Sequence, residues 1–122
     1  SNDVPTTPPP ADTGVLVSQD PADYTVLPTS TGFGMNWVLQ NTSANAWDAN
    51  KVDLVFLGAL NGMRLHQNWD VYDITATVQP GETYTVDGSL ITPSDPGTYG
   101  EAWALQQEGV NLCTFWVIVE AQ

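Results

Sequence analysis

Basic residues are scarce in this sequence. Lys and Arg together number 2 among 122 residues, against 14 Asp and Glu, so the formal net charge is -12. A surface this acidic repels the phosphates of nucleic acids and of anionic lipids. The sequence also has no apolar run of about 18 residues that could span a bilayer. We therefore expect neither nucleic-acid binding nor direct membrane insertion.

Cysteine and histidine are each present once, as Cys113 and His66. A single cysteine excludes a disulfide within the chain. An enzyme needs a nucleophile with a base, a pair of acids or a metal site, and these residues leave few choices. His66, Asp70 and Asp73 form a candidate metal cluster, but their spacing lacks the strictness of zinc motifs, so a solvated loop is favoured. The sequence predicts a protein that is not an enzyme, with Cys113 as a small buried thiol.

Aspartates are grouped closely enough to raise calcium as an alternative to an unliganded surface. Asp12, Asp20 and Asp23 form one group, and Asp48 with Asp53 forms another. Carboxylates are the hard oxygen ligands that Ca²⁺ prefers. Neither group fits an EF-hand loop, so we expect no cofactor and a solvated acidic surface.

No stretch of the chain shows the period of an amphipathic helix. The segment from Gly32 to Trp47 instead alternates large apolar residues with small or polar ones, through Phe33, Met35, Trp37 and Leu39. Alternation with a period of two is typical of a half-buried strand. Trp37 is therefore predicted to lie in a core.

The remaining apolar segments are short and are separated by turns rich in Gly, Pro, Asn and Asp. The predicted strands are 14–18 with 24–28, an edge strand divided by a turn at 20–23; 51–57, closing at Gly58; 72–77; 83–91, with a bulge at Gly88; 98–106; and 112–119. About seven short strands with regular turns indicate an all-β, antiparallel sandwich.

The N-terminal segment, residues 1–14, contains four prolines and no large apolar residue except Val4. Such a segment should be extended, polyproline-like and outside the core. We therefore predict a Pro-rich extended tail or linker over 1–14 and one domain over 15–122. Two roles for the tail stay open: a stalk, or a strand donated to a neighbouring molecule.

The order and spacing of several landmarks resemble the four-tryptophan (FW) domain, an immunoglobulin-like module of selective-autophagy cargo receptors and of many bacterial surface proteins. The matching residues are Trp37 with Leu39 and Asn41, then Trp47, Leu54-Val55-Phe56, Pro80-Gly81-Glu82, Pro96-Gly97-Thr98-Tyr99, Trp103 with Leu105, and Phe115-Trp116-Val117. The resemblance covers residues 15–120. Ala46 stands where the family often has Cys, and Asn111-Leu112 replaces a common Phe-Gly.

This resemblance implies an immunoglobulin-like sandwich that binds proteins without catalysis. If Trp37, Trp47, Trp103 and Trp116 are all packed, each buries about 150–250 Å², so the four rings could dominate the core of so small a domain. Tyr99 follows a Pro-Gly turn in the manner of a tyrosine corner, where a Tyr hydroxyl bonds back to the chain. These five residues are predicted to be structural.

Two other aromatic residues are candidates for ligand contact. Trp69 and Tyr72 lie near Asn68 and Asp70, and aromatic rings beside amide groups are typical of carbohydrate-binding sandwiches. The alternative is that Trp69 covers one end of the core. The sequence Asn41-Thr42-Ser43 is a glycosylation sequon, which could equally be a simple turn.

The composition and the resemblance together predict a non-catalytic, protein-binding or structural module that is extracytoplasmic, secreted or at a cell surface. The alternative is a self-assembling subunit of an extracellular filament or sheath, in which the N-terminal segment or the strand at Val15, Leu16 and Val17 adds to a neighbour's sheet. A carbohydrate-binding module is the third hypothesis. The expected partners are other proteins or copies of the same chain in a homo-oligomer.

Overall fold

The computed structural model describes residues 13–122. The predicted tail falls almost wholly in residues 1–12, outside the described part, so its conformation stays a prediction. The described residues form eight strands: β1 (Gly14–Asp20), β2 (Thr25–Leu27), β3 (Gly32–Asn41), β4 (Val52–Leu60), β5 (Val71–Asp73), β6 (Thr83–Ile91), β7 (Gly97–Gln107) and β8 (Val110–Ala121). The first of these begins at Gly14, one residue before the predicted domain boundary.

The strands form two sheets that enclose one core. Their orders are β1-β3-β6 and β2-β8-β7-β4-β5, and residues 13–122 contain no helix. The predicted all-β sandwich is therefore confirmed. The predicted N-terminal edge strand is two strands in different sheets, because the chain crosses from one sheet to the other between Asp20 and Thr25. Strand β2 pairs with β8 in parallel, whereas the other strand pairs of the described residues are antiparallel.

Two predictions about strand glycines are wrong. Strand β4 does not close at Gly58; a bulge between Phe56 and Gly58 lets it continue to Leu60, which pairs with Gly100 of β7. Strand β6 has no bulge at Gly88, since its register with β3 runs without interruption. Gly88 thus lies in regular strand backbone.

Alternating side chains from both sheets fill the core. Trp37 of β3 and Trp103 of β7 are buried, and so is Trp47, in the connection between β3 and β4. The Trp37 ring packs against Phe115 of β8 with 5.1 Å between ring centroids. These rings lie between the sheets and hold them together through buried apolar area.

Trp116 is not part of this core, and the prediction that its ring is buried is wrong. Its side chain is 51% exposed, whereas Phe115 and Val117 on either side are buried. Successive side chains of a strand point to opposite faces of the sheet. Because Phe115 and Val117 face inward, Trp116 must lie on the outer face of the five-stranded sheet.

Tyr99 has the geometry of a tyrosine corner. Its hydroxyl donates a hydrogen bond to the Asp95 carbonyl oxygen at 2.8 Å, and its ring is buried against the turn that precedes β7. A Cβ atom at Gly97 would lie 3.4 Å from the Tyr99 ring. The turn and the ring therefore pack as one unit.

Asn41, the acceptor of the predicted sequon, is buried at the end of β3. Its Nδ2 donates to the carbonyl oxygens of Asn45 at 2.8 Å and Val78 at 3.0 Å. Its Oδ1 accepts from the backbone N–H of Ser43 at 3.0 Å. The amide thus fixes the turn after β3.

Candidate functional site

The sandwich is open along one side. Strand β5 is the last strand of one sheet and β6 is the last strand of the other, and the two are not paired with each other. Between them lies a cavity of about 430 Å³, which we call the side cleft. Its volume falls within the range of about 300–1,000 Å³ that is typical of ligand sites.

The side cleft is open because Gly88 occupies an inward-facing position of β6. The neighbouring inward positions on that strand carry Tyr84, Val86 and Leu90, all more buried than the residues that alternate with them. A Cβ atom at Gly88 would meet no heavy atom within 4 Å. The missing side chain therefore leaves room in the cleft instead of permitting a close contact.

Aromatic rings form much of the cleft's lining. Trp37 and Trp103 lie at its base, and Tyr72 and Tyr84 come from the two bordering strands. Tyr72 packs near Trp103, with 6.1 Å between ring centroids. The Tyr84 hydroxyl accepts a hydrogen bond from the backbone N–H of Thr75 at 3.0 Å. This bond joins β6 to the segment that follows β5 and fixes one end of the opening.

The rim of the cleft is polar and acidic. Asp73 and Asp87 line it together with the amide side chains of Gln67 and Asn68, and no Lys or Arg is among its lining residues within 13–122. Aromatic walls with carboxylates at the rim suit an apolar group that is attached to N–H donors or to a positive charge.

A buried polar cluster holds the loop that closes the other end of the cleft. The Glu101 carboxylate accepts hydrogen bonds from the backbone N–H groups of Leu65 at 2.6 Å and His66 at 3.1 Å, and from Trp103 Nε1 at 2.8 Å. It also contacts His66 Nδ1 at 3.0 Å. On the other side of the imidazole, His66 Nε2 lies 2.7 Å from Asp70. Both ring nitrogens of His66 are therefore already engaged by carboxylates.

This cluster was missed by sequence reasoning, which placed His66 with two aspartates and overlooked Glu101. Glu101 stands between Tyr99 and Trp103 at an inward position of β7, and its side chain is buried. A carboxylate at an alternating core position was the available signal, because a buried charge needs several donors. The N–H groups of Leu65 and His66 come from a loop with no regular pattern, so these two donors could not be assigned from sequence.

The structure offers no metal site in its described part. Residues 13–122 contain no group of three or more His, Cys, Asp or Glu side chains placed to hold an ion. Of the aspartates considered for calcium, Asp12 lies outside the described residues. Asp23 accepts from Gln19 Nε2 at 2.8 Å and from the Ile118 N–H at 3.1 Å, and Asp48 accepts from the Asn50 N–H at 2.8 Å. These two carboxylates therefore accept hydrogen bonds from neighbouring turn and strand residues of the domain.

Two of the predicted contact residues are adjacent, because the Tyr72 hydroxyl accepts a hydrogen bond from the backbone N–H of Trp69 at 3.1 Å. Tyr72 lines the side cleft, whereas Trp69 does not. Trp69 is 73% exposed, so the alternative that it covers one end of the core is wrong. Val15, Leu16 and Val17 are exposed on β1, the edge strand opposite β6 in the three-stranded sheet.

Comparison with known families identifies the fold more closely. A family model described as the Ig-like domain from next to BRCA1 gene matches residues 21–121. The match extends over β2 to β8 and includes all residues that line the side cleft. No curated protein matches the sequence. Within residues 13–122 there is also no helix that is long and apolar enough to cross a membrane.

Proposed function

Since the chain belongs to the family described as the Ig-like domain from next to BRCA1 gene, we propose that it is a non-catalytic protein-binding module whose ligand occupies the side cleft. The observation that carries this proposal is the cleft itself, a cavity of about 430 Å³ with aromatic walls and an acidic rim. Protein binding is the common role of immunoglobulin-like sandwiches, whose function depends on sites added to a shared scaffold.

The expected ligand is an extended polypeptide segment. Strand β6 pairs only with β3 among the described strands, apart from a single bridge between Leu90 and His66. Its free edge can therefore pair with an added strand, which is a recurring mode of peptide recognition. One apolar side chain of that segment would enter the cleft beside Gly88, while Asp73 and Asp87 at the rim would attract its basic groups.

We further propose that the domain is of the four-tryptophan type. The buried rings of Trp37, Trp47 and Trp103 and the tyrosine corner at Tyr99 support this assignment. Trp116 stands at the fourth landmark position in the sequence, although its ring is not buried.

An extracytoplasmic, secreted or cell-surface location also belongs to the proposal. Its support is the polar composition with few lysines.

The proposal is tested by filling the cleft without disturbing the core. The variant Gly88→Leu adds a side chain where no heavy atom lies within 4 Å, and Gly34→Leu does the same on the neighbouring strand at an exposed, outward position. Proteins captured from extracts and culture medium of the source organism are compared for the wild type and both variants. We expect specific partners with the wild type and Gly34→Leu, and their loss with Gly88→Leu.

Matched urea unfolding curves for the two variants exclude a folding defect as the cause. Equal recovery of the same proteins by Gly88→Leu, or no specific partner for the wild type, would contradict the proposal. Proteins lost equally with both variants would also count against it, because Gly34 is outside the cleft.

A second candidate function is self-assembly through strand addition. The observation that favours it is the edge strand β1, where three consecutive apolar residues, Val15, Leu16 and Val17, are exposed. Sedimentation of the full chain should then show oligomers that disappear when residues 1–12 are removed. A monomer both before and after the deletion would contradict this candidate.

Carbohydrate binding is supported by the exposed ring of Trp69 and by the hydrogen bond from its backbone N–H to the Tyr72 hydroxyl. The Tyr72 ring itself lies in the cleft, near Trp103. A glycan panel that leaves the tryptophan fluorescence of the wild type unchanged would eliminate this candidate.

A further inference from the structure

The outer face of the five-stranded sheet carries a second concave surface, away from the side cleft. Gly58 of β4, Ala102 of β7 and Trp116 of β8 lie side by side across three strands, and Leu60, Gly100 and Ile118 form the adjacent row. Together they border a hollow of about 290 Å³. We call it the Trp116 hollow.

The lack of a side chain at Gly58 has no packing explanation within the domain. A Cβ atom there would meet no heavy atom within 4 Å, and its backbone is not in the left-handed region. Gly100 differs, because a Cβ atom at that position would lie 2.7 Å from the Val117 carbonyl oxygen. Gly58 therefore leaves open space beside a tryptophan that is half exposed, and this space is available to a partner.

Exposed apolar residues extend the hollow across the sheet. Leu57 and Leu60 on β4 are both more than 40% exposed, and Val71 on β5 is 55% exposed opposite Val55. Isolated apolar residues are normal on protein surfaces, but a contiguous apolar patch with a polar border indicates an interaction site.

The border of this face is acidic. Asp53 of β4 stands directly opposite Asp73 of β5, and like charges in a cross-strand pair are unfavourable unless a cation lies near them. Glu120 follows Ile118 on the same face of β8, at the other side of the hollow. Arg64 is engaged with Asp70 at 3.1 Å and cannot serve as that cation.

We propose that the outer face docks a polypeptide segment of a basic partner protein, with an apolar side chain in the Trp116 hollow and Lys or Arg against the Asp53–Asp73 pair. The carboxylates on both sides of the apolar patch argue for a basic segment. A second copy would bring the same carboxylates and a net charge of -12 to the interface. An anionic lipid surface would be repelled for the same reason.

This site is distinct from the side cleft and does not depend on the function proposed for it. The two share Asp73 at the sheet edge, but none of the residues around the Trp116 hollow lines the cleft. Tryptophan is one of the residue types enriched among the few residues that carry most of the binding energy at interfaces. Trp116 is therefore the anchor of the proposed interface.

The test uses two synthetic peptides: one that alternates Leu with Lys, and a second with Glu at every Lys position. Binding to the full chain is measured by calorimetry, and the site is located by the shift of the Trp116 indole N–H signal in ¹⁵N spectra. We expect the Lys peptide to bind and to move that signal. We expect Gly58→Leu, and separately the double variant Asp53→Asn with Glu120→Gln, whose residues do not line the side cleft, to weaken binding by about tenfold or more.

Matched controls separate this interface from the cleft and from folding defects. Gly34→Leu adds the same side chain on the other sheet, and Gly88→Leu fills the cleft; both should bind the Lys peptide as the wild type does. Trp116→Ala should weaken binding as Gly58→Leu does, while Trp69→Ala, at another exposed tryptophan, should not.

Three results would overturn the proposal. The first is equal binding of the Glu peptide or no binding of the Lys peptide. The second is loss of binding with Gly88→Leu but not with Gly58→Leu, which would place the peptide in the cleft and support the other site instead. The third is a dimer in sedimentation that Gly58→Leu abolishes, which would make a second copy the occupant of the face.

Discussion

Trp37 donates a hydrogen bond from its indole Nε1 to the backbone carbonyl oxygen of Trp116 at 3.0 Å. The bond joins β3 in one sheet to β8 in the other. The backbone carbonyl oxygen of Trp116 thus accepts a hydrogen bond from the core, while its ring faces outward. The last of the four landmark tryptophans therefore contributes to the fold and remains available to a partner.

Replacing Trp37 by Phe should destabilise the domain by about 2–3 kcal/mol. The change leaves the Trp116 carbonyl oxygen without this donor and leaves space next to Phe115. In a buried position, each of these effects lowers the free energy of unfolding. Urea unfolding measures the change. Trp69→Phe, at a largely exposed ring, should alter stability by less than about 0.5 kcal/mol. Equal effects of the two variants would show that the inter-sheet bond contributes little.

Glu101→Gln should destabilise the domain by about 2–4 kcal/mol. The native carboxylate receives N–H groups of Leu65, His66 and Trp103, and an amide would turn its own NH₂ toward some of these donors while leaving His66 less well paired. Thermal or urea unfolding provides the measurement. Glu120→Gln, on the outer face of β8, is the control and should be nearly neutral. If the Glu101→Gln protein were as stable as that control, the hydrogen bonds of the Glu101 cluster would contribute little to the stability of the domain.

Asn41 should not be glycosylated when the chain is produced in a host that modifies such sequons. Its side-chain nitrogen is buried and donates to two carbonyl oxygens, so a glycan could be attached only before folding and would prevent the turn from forming. Intact mass spectrometry checks this. The variant Met63→Thr creates a sequon at Asn61 in an exposed turn and should gain a glycan in the same host. A glycan on Asn41 of the folded protein would show that the site is accessible.

Gly14→Ala should destabilise the start of β1 by about 1–3 kcal/mol through overpacking. A Cβ atom at Gly14 would lie 2.6 Å from a ring carbon of Trp47, a contact that the buried ring cannot relieve by moving freely. Gly34→Ala, in a strand with open space around it, is the matched control and should not destabilise. Unfolding curves and hydrogen exchange of β1 amides measure the difference; equal stability of both variants would mean that the Trp47 ring adapts.

Much of the fold follows from local alternation in the sequence. The pattern around Trp37 predicts β3 and its buried face, and the turn before Tyr99 predicts the corner that the structure contains. The same rule applied to Phe115 and Val117 would have placed Trp116 outside; the resemblance to a landmark motif fixed its position in the chain but not the face it occupies. The division of the first strand between two sheets depends on pairing with β3 and β8, which local sequence does not encode.

The candidate site was harder to predict because its parts are distant in sequence. Tyr72 was identified as a contact residue, but the side cleft also needs β6, the base formed by Trp37 and Trp103, and the gap at Gly88. The sequence predicts a bulge at that glycine. A glycine in a strand can mark a bulge, a bend or an open space beside a ligand, and only the packing of the opposite sheet shows which of these applies. Glu101 was missed because two of its donors, the N–H groups of Leu65 and His66, belong to an irregular loop.

The central claim, that a protein partner occupies the side cleft, is tested most directly by photo-crosslinking from the rim of the cleft. A photoreactive amino acid replaces Asn68, an exposed residue at that rim, and in a control it replaces Asn50, in the turn before β4. The account predicts a specific protein crosslink from position 68 that Gly88→Leu abolishes, and none from position 50. No crosslink from position 68, or one that persists in Gly88→Leu, would contradict it.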